Sequence, residues 1–273
     1  MLSRRIRTFA LVLLPMVSAV LARDAGAQSV ATQQQLDEIS GRGRALAGYQ
    51  RAAWAASMQL LATNPDPWKA QRYVAYHADS GWVVAFGRLN ADRDTFYVSN
   101  IAVPAPVNGQ RVDSAYEFHA FDGAPDVDYL VRASRAMDLA TMKMGMTKRA
   151  YSAAAIPDEN GDWYVYLTPS ADITSVWPLG DDVRYRVSAD GMRLLETRRM
   201  HAGMVEVSKD GTRLIANKSA KPLRDVPEDS DVFHVLVNRS STSEIVTTKR
   251  NQFVIEPDGA IRIRPKETVV GAR

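Results

Sequence analysis

The dipeptide Asp-Gly recurs between strand-like runs in the last third of the chain, at Asp190-Gly191, Asp210-Gly211 and Asp258-Gly259. Asp-Gly between alternating apolar residues is the strongest short-range hairpin signal, because both residues tolerate the backbone angles of a tight turn. The spacings, 20 and 48 residues, are too uneven for the steadily repeating blades of a β-propeller. The pattern therefore predicts single antiparallel hairpins.

The same strand–turn–strand pattern occurs throughout the chain. Strand-like segments are predicted over 72–77, 81–89, 95–103, 115–121, 151–156, 163–168, 232–237, 244–248 and 252–255. Trp82 and Trp163 each begin an aromatic run just after a glycine-containing turn. An internal duplication and convergent hairpin chemistry both explain this echo.

Two segments have helical periodicity instead, over residues 33–62 and 126–146. In the first, the apolar residues fall on one stripe with a 3.6-residue period: Leu36, Ile39, Leu46, Trp54, Met58 and Leu61. Pro65 and Pro67 end this helix. Helices and strands are segregated rather than alternating, which predicts an α+β fold of antiparallel meanders and hairpins with an N-terminal and a central helix.

The first 27 residues are typical of a secretory signal peptide. Arg4, Arg5 and Arg7 precede an apolar stretch over 8–22, which is shorter than the ~20 residues that span a bilayer. Ala25-Gly26-Ala27 supplies the small residues of a cleavage site, so we expect cleavage after Ala27. The sequence thus predicts a periplasmic or secreted bacterial protein with no membrane span after cleavage. The mature chain divides near residue 148 into 28–148 and 149–273, with a single domain as the alternative.

The net charge of +3 belongs to the leader, which holds four arginines and one aspartate of the 34 basic and 31 acidic residues. The mature chain is therefore neutral and has no basic stripe, which argues against nucleic-acid binding. Without cysteine there can be no disulfide, thiolate nucleophile or Cys-ligated metal.

Local catalytic signatures such as G-x-S-x-G, H-E-x-x-H and the P-loop are absent from the sequence. Strand parity places Glu117 and His119 on one face, and if the strand of His77 were a neighbour, the three could form a polar face for metal binding or proton transfer. A solvated sheet face is the alternative. His234 is expected to be a half-buried sheet residue and His201 to lie at a strand end.

Three other segments could bind ions but have simpler explanations. The acidic residues of 158–162 could hold Ca²⁺, yet the distal ligand of an EF-hand is missing, which favours a hairpin turn. Four methionines between 137 and 146 could bind a soft metal, yet core filling explains them. Residues 225–231 are interpreted as a polar loop before a strand.

The sequence therefore favours a non-enzymatic binding or envelope-associated protein that uses a sheet face or edge. Its ligand would be a peptide, a glycan or another envelope protein, and no cofactor is predicted. A secreted hydrolase, with or without assistance from a metal ion, is the alternative, so the sequence leaves enzymatic activity open.

Overall fold

The computed structural model describes residues 31–63, 66, 68–107, 110–123, 128–170, 176–208, 221–237 and 243–264. The expected signal peptide (1–27) and the Asp210-Gly211 turn lie outside these residues. The described part contains three helices, α1 (Gln33–Ala62), α2 (Asp128–Met144) and α3 (Asp229–Val237). None of these helices has both the length and the apolar character needed to cross a bilayer.

Thirteen strands occur in the same residues, and all their pairings within sheets are antiparallel. They are β1 (Arg72–Ala78), β2 (Gly81–Leu89), β3 (Phe96–Val107), β4 (Gln110–Gly123), β5 (Tyr151–Pro157), β6 (Trp163–Pro169), β7 (Val176–Gly180), β8 (Val183–Val187), β9 (Leu194–Arg199), β10 (Met204–Ser208), β11 (Glu244–Thr247), β12 (Gln252–Ile255) and β13 (Ile261–Arg264). The α+β class predicted from the sequence is confirmed.

Two four-stranded sheets form the centre of the fold. Their strand orders are β1-β2-β3-β4 and β5-β6-β8-β9, so each is a meander that follows a helix. Strand β7 leaves the second meander and pairs with β10, and β11, β12 and β13 form a separate three-stranded sheet. A helix followed by four antiparallel strands thus occurs twice in the chain.

Alternate side chains of the central sheets face different helices, as the two-residue period of a strand requires. Ala75 pairs with Val84 and packs with α1, whereas the next pair, Val74 and Ala85, packs with α2. In β6, Tyr166 likewise joins the α1 cluster. The two helices therefore cover opposite faces, and the α2 cluster combines side chains from both sides of residue 148.

Both Asp-Gly turns in the described residues are hairpin turns, as predicted. They connect β8 to β9 and β12 to β13. Gly191 and Gly259 adopt φ angles of 75° and 81°, the left-handed region that glycine enters without strain. Each preceding aspartate, Asp190 or Asp258, accepts a hydrogen bond from the backbone N–H two residues further on.

Helix α1 has the bounds that the sequence predicts, and Thr32 caps it by accepting a hydrogen bond from the backbone N–H of Gln35. The predicted buried stripe is only half right. Leu36, Ile39 and Leu46 are buried, but the stripe continues into Trp54, Met58 and Leu61, which are exposed. In the second half of α1, the buried residues are instead Tyr49, Ala52, Ala53, Ala56 and Leu60.

Helix α3 corrects the strand predicted over 232–237. The apolar, β-branched run there favours a strand by propensity alone, but acidic residues and a serine precede it, a pattern typical of a helix N-terminus. His234 is consequently a buried helical residue, not a half-buried strand residue. Tertiary packing explains the outcome, since Val232 and Val235 fill a cluster between α1 and the three-stranded sheet.

Gly43 allows α1 and α3 to approach closely. A Cβ at this position would lie 2.5 Å from Val232 Cβ and 2.7 Å from the Asp229 carbonyl oxygen, whereas a Cβ at Gly41 would meet nothing within 4 Å. Gly43 is thus a packing requirement, while Gly41 only adds backbone freedom to the unfolded chain.

We expect Gly43→Ala to lower the free energy of unfolding by about 1–3 kcal/mol because the methyl group overpacks the α1–α3 contact. Gly41→Ala is the matched control on the same helix and should raise it by about 0.5–1 kcal/mol. Urea unfolding of both variants measures the difference. Equal effects would contradict the close approach of the two helices.

Candidate functional site

The structure does not bring His77 to the polar face shared by Glu117 and His119. Strands β1 and β4 form opposite edges of their sheet. His119 lies opposite Ile101, on the α2 side, while His77 lies opposite Trp82, on the α1 side. All three candidate residues are exposed. Within the described part of the chain, no group of three or more His, Asp and Glu side chains is arranged to hold a metal ion.

Two of the three acids in the turn over 158–162 pair with one arginine. Arg186 on β8 donates to Asp158 at 3.1 Å and to Asp162 at 2.8 Å. The other carboxylate oxygen of Asp158 accepts the backbone N–H groups of Asn160 and Asp162. These oxygens hold the hairpin together, which supports the turn interpretation over a Ca²⁺ site.

The methionines between 137 and 146 do not share a site either. Met137 is buried in the α2 cluster and Met144 packs against it. Met142 and Met146 point into solvent. This arrangement fits core filling rather than soft-metal binding.

A buried group of charged side chains lies where α3 begins, and the sequence did not indicate it. We call this group the α3 hub, and each member is at most 9 % exposed: Asp182, Arg184, Arg198, His201, Glu228, Asp229 and Asp231. Asp182 directly precedes β8, and Arg184 is the second residue of that strand. Arg198 lies near the end of β9, and His201 follows β9. Buried ionised groups are costly unless they are paired, so the contacts within the hub decide its properties.

The N-terminus of α3 supplies three acids to the hub. The Glu228 N–H donates to the Asp231 carboxylate at 2.7 Å, and the Asp231 N–H donates to the Glu228 carbonyl at 3.0 Å. The first of these bonds has the geometry of a capping box, with aspartate in the position usually held by glutamate. Negative charge at this end also interacts favourably with the helix dipole.

Asp229 is fully buried and receives donors from three other elements. Its carboxylate accepts hydrogen bonds from Arg42 of α1 at 3.1 Å, Tyr166 of β6 at 2.8 Å and Arg184 of β8 at 2.6 Å. Burial and the neighbouring carboxylate raise the pKa of Tyr166 well above its usual value, so its phenol stays protonated and donates. The Arg184 guanidinium also lies 4.6 Å from the centre of the Tyr164 ring.

His201 lies between two carboxylates and has no exposed surface. Nδ1 is 2.8 Å from Asp182 and Nε2 is 3.1 Å from Asp231. Burial alone would lower the pKa of His201, but the charges and hydrogen bonds of Asp231 and Asp182 outweigh it and raise the pKa to about 11. The imidazole is therefore a cation at neutral pH, with both ring N–H groups donating.

Glu228 and Arg198 form the remaining ion pair of the hub, through Oε2 and Nη2. Burial and the charges of Asp229 and Asp231 together raise the pKa of Glu228 to about 7, against the opposing effect of Arg198. The second oxygen, Oε1, is buried and has no hydrogen-bond partner among the residues that the structure describes. The Glu228 carboxyl group is thus close to changing its protonation at neutral pH.

The hub is matched in charge and closed to proton transfer through its histidine. Its four carboxyl groups meet Arg42, Arg184, Arg198 and protonated His201. A general base needs a free nitrogen within reach of a substrate, and both nitrogens of His201 are engaged. The arrangement stabilises the junction of α1, β6, β8 and α3.

Residues 225–231 were interpreted as a polar loop, which hid the acidic end of α3. The available signal was Glu228 with Asp231 three positions later, followed by an apolar run, which is typical of a helix start. Nothing in the sequence indicates the partners, because Arg42 and Asp229 are 187 residues apart.

Comparisons with protein-family models, curated proteins and solved structures find no match to this chain.

We expect the free energy of unfolding to fall as pH rises from neutral to about 10, with His201 as the main cause, whereas above that range tyrosines with raised pKa values, such as Tyr49 and Tyr166, add to the loss. Its pKa in the folded protein, about 11, exceeds the ordinary value of 6.5, so its contribution is complete below pH 6.5 and is lost as pH rises through 11. Glu228 acts in the same direction between pH 4.5 and about 7.

Urea unfolding across this pH range tests the expectation. Wild-type protein should lose on the order of 2–5 kcal/mol between neutral pH and about pH 10. His201→Gln should be less stable at neutral pH and should lose less of its free energy of unfolding over the same range. His119→Gln, an exposed control, should follow the wild type. Parallel curves for wild type and His201→Gln would contradict the doubly paired imidazolium.

Proposed function

We propose that the protein is an exported, non-enzymatic binding module of the bacterial envelope that docks through the second half of α1. The observation behind this proposal is a set of exposed apolar side chains, which we call the α1 patch. It comprises Trp54, Met58 and Leu61, which are 64 %, 54 % and 65 % exposed, and Trp68, which is 77 % exposed. The expected signal peptide supports the location.

Helical geometry places three of these residues on the same face of α1. Trp54, Met58 and Leu61 are spaced i, i+4 and i+7, so they lie on the same side of α1. Trp68 follows in the short connection to β1, where its backbone N–H donates to the Asp66 carboxylate at 2.9 Å.

The α1 patch supports docking better than the sheet faces do. Helices α1 and α2 cover opposite faces of the central sheets, whereas Trp54, Met58 and Leu61 on the outer side of the second half of α1 are exposed. Single exposed apolar residues are ordinary, but a group with two tryptophans and a methionine has the composition of binding hot spots.

A photoreactive amino acid at Met58 tests whether the patch docks in the cell. We expect irradiation of cells that produce the variant to give a covalent adduct, to a protein or to a lipid. The same residue at Met192, 55 % exposed but far from α1 in the chain, is the control and should give none. No adduct at position 58, or equal adducts at both positions, would contradict the proposal.

A secreted hydrolase is the second candidate, and Glu228 is the observation that favours it. A buried carboxyl group with a pKa near 7 and one unpartnered oxygen has the protonation behaviour of a general acid or base. Against this, Glu228 has no exposed surface through which a substrate could reach it.

Chromogenic ester, phosphate, glycoside and peptide substrates distinguish the two candidates. We expect no hydrolysis that differs between the wild type and Glu228→Gln, a substitution that keeps the shape of the side chain. Hydrolysis by the wild type that Glu228→Gln abolishes, with unchanged circular dichroism, would establish the hydrolase instead.

A further inference from the structure

We infer that the α1 patch binds an anionic lipid surface, an inference that rests on the proposed docking role of this patch. Three features of the described residues lead to it: the type of the apolar side chains, the charge around them and the size of the surface.

The apolar residues suit a membrane interface. Tryptophan prefers the headgroup level of a bilayer, where its ring is in contact with acyl chains and its N–H stays near water. Trp54 and Trp68 are the two most exposed tryptophans for which the structure gives an exposure, and Met58 and Leu61 lie between them in the chain. With this side facing the membrane, α1 would lie along the surface, as amphipathic interfacial helices do.

Along the chain, basic residues outnumber acidic residues next to the patch. No acidic residue occurs from residue 39 to residue 65, and Arg51 is exposed one helical turn before Trp54. Lys69 is exposed next to Trp68. The nearby Asp66 carboxylate is turned towards the backbone, since it accepts a hydrogen bond from the backbone N–H of Trp68. Basic residues close to an anionic bilayer are attracted to its surface, and salt screens this attraction.

The size of the patch fits partial insertion better than a stable dimer. Aromatic side chains present about 150–250 Å² each, so two largely exposed tryptophans with Met58 and Leu61 expose on the order of 500 Å². A standard protein–protein interface buries about 800 Å² on each partner. Insertion of a few side chains into a bilayer needs no such complementary surface.

Cosedimentation of the full mature chain with lipid vesicles tests the inference. We expect binding to vesicles that mix phosphatidylcholine with phosphatidylglycerol, weaker binding to phosphatidylcholine alone, and a loss on adding salt. Trp54→Ala with Met58→Ala should reduce binding at least about tenfold, because the inserted groups are removed. The double variant Met192→Ala with Leu223→Ala, equally exposed elsewhere, should bind like the wild type.

Each other outcome overturns the lipid inference. It fails if the wild type does not sediment with the mixed vesicles, or if the Trp54/Met58 variant binds as well as the wild type. It also fails if sedimentation equilibrium shows a dimer that this variant disrupts, since a second copy would then occupy the patch.

Photo-crosslinking separates this failure from failure of the proposed function. A protein adduct at position 58 without vesicle binding would leave the docking role intact and replace the lipid by a protein. Without any adduct at position 58, both the docking role and the lipid inference fall.

Discussion

The carboxylate of Asp229 has no exposed surface, and the surrounding elements supply hydrogen-bond donors to it. An isolated buried charge costs several kcal/mol, so each donor that meets it also fixes the element that carries that donor. Arg42 holds α1, Tyr166 holds β6 and Arg184 holds β8. One side chain thus links two helices and a central sheet at a single point.

Local signals were sufficient for most of the secondary structure. Turns at Asp190-Gly191 and Asp258-Gly259, and the periodic segment from Gln33 to Ala62, depend on neighbours in the chain, and the structure confirms them. α3 was mistaken for a strand because its apolar residues have high β-propensity. Only its packing against α1 and its acidic N-terminus decide for a helix.

Prediction of the candidate site was limited for a different reason. Strand parity correctly placed Glu117 and His119 together, but it cannot say which strands are neighbours, so His77 was grouped with them across a whole sheet. Periodicity has the same limit in α1. It shows that Leu46 and Trp54 share a stripe, but not that other elements cover this stripe only in the first half of the helix. What lies opposite a surface is set by the tertiary fold.

The pairing of Arg42 with Asp229 spans 187 residues. Closure of so long a loop comes late in folding, because the entropy of bringing its ends together must be overcome before the contact contributes. While the chain emerges in order, α1 has no α3 to pack against Gly43, and Arg42 can pair only with Glu38 of its own helix. We expect such a nascent chain to stay unfolded until most of its length has been made, which fits the proposed export of the chain in an unfolded form.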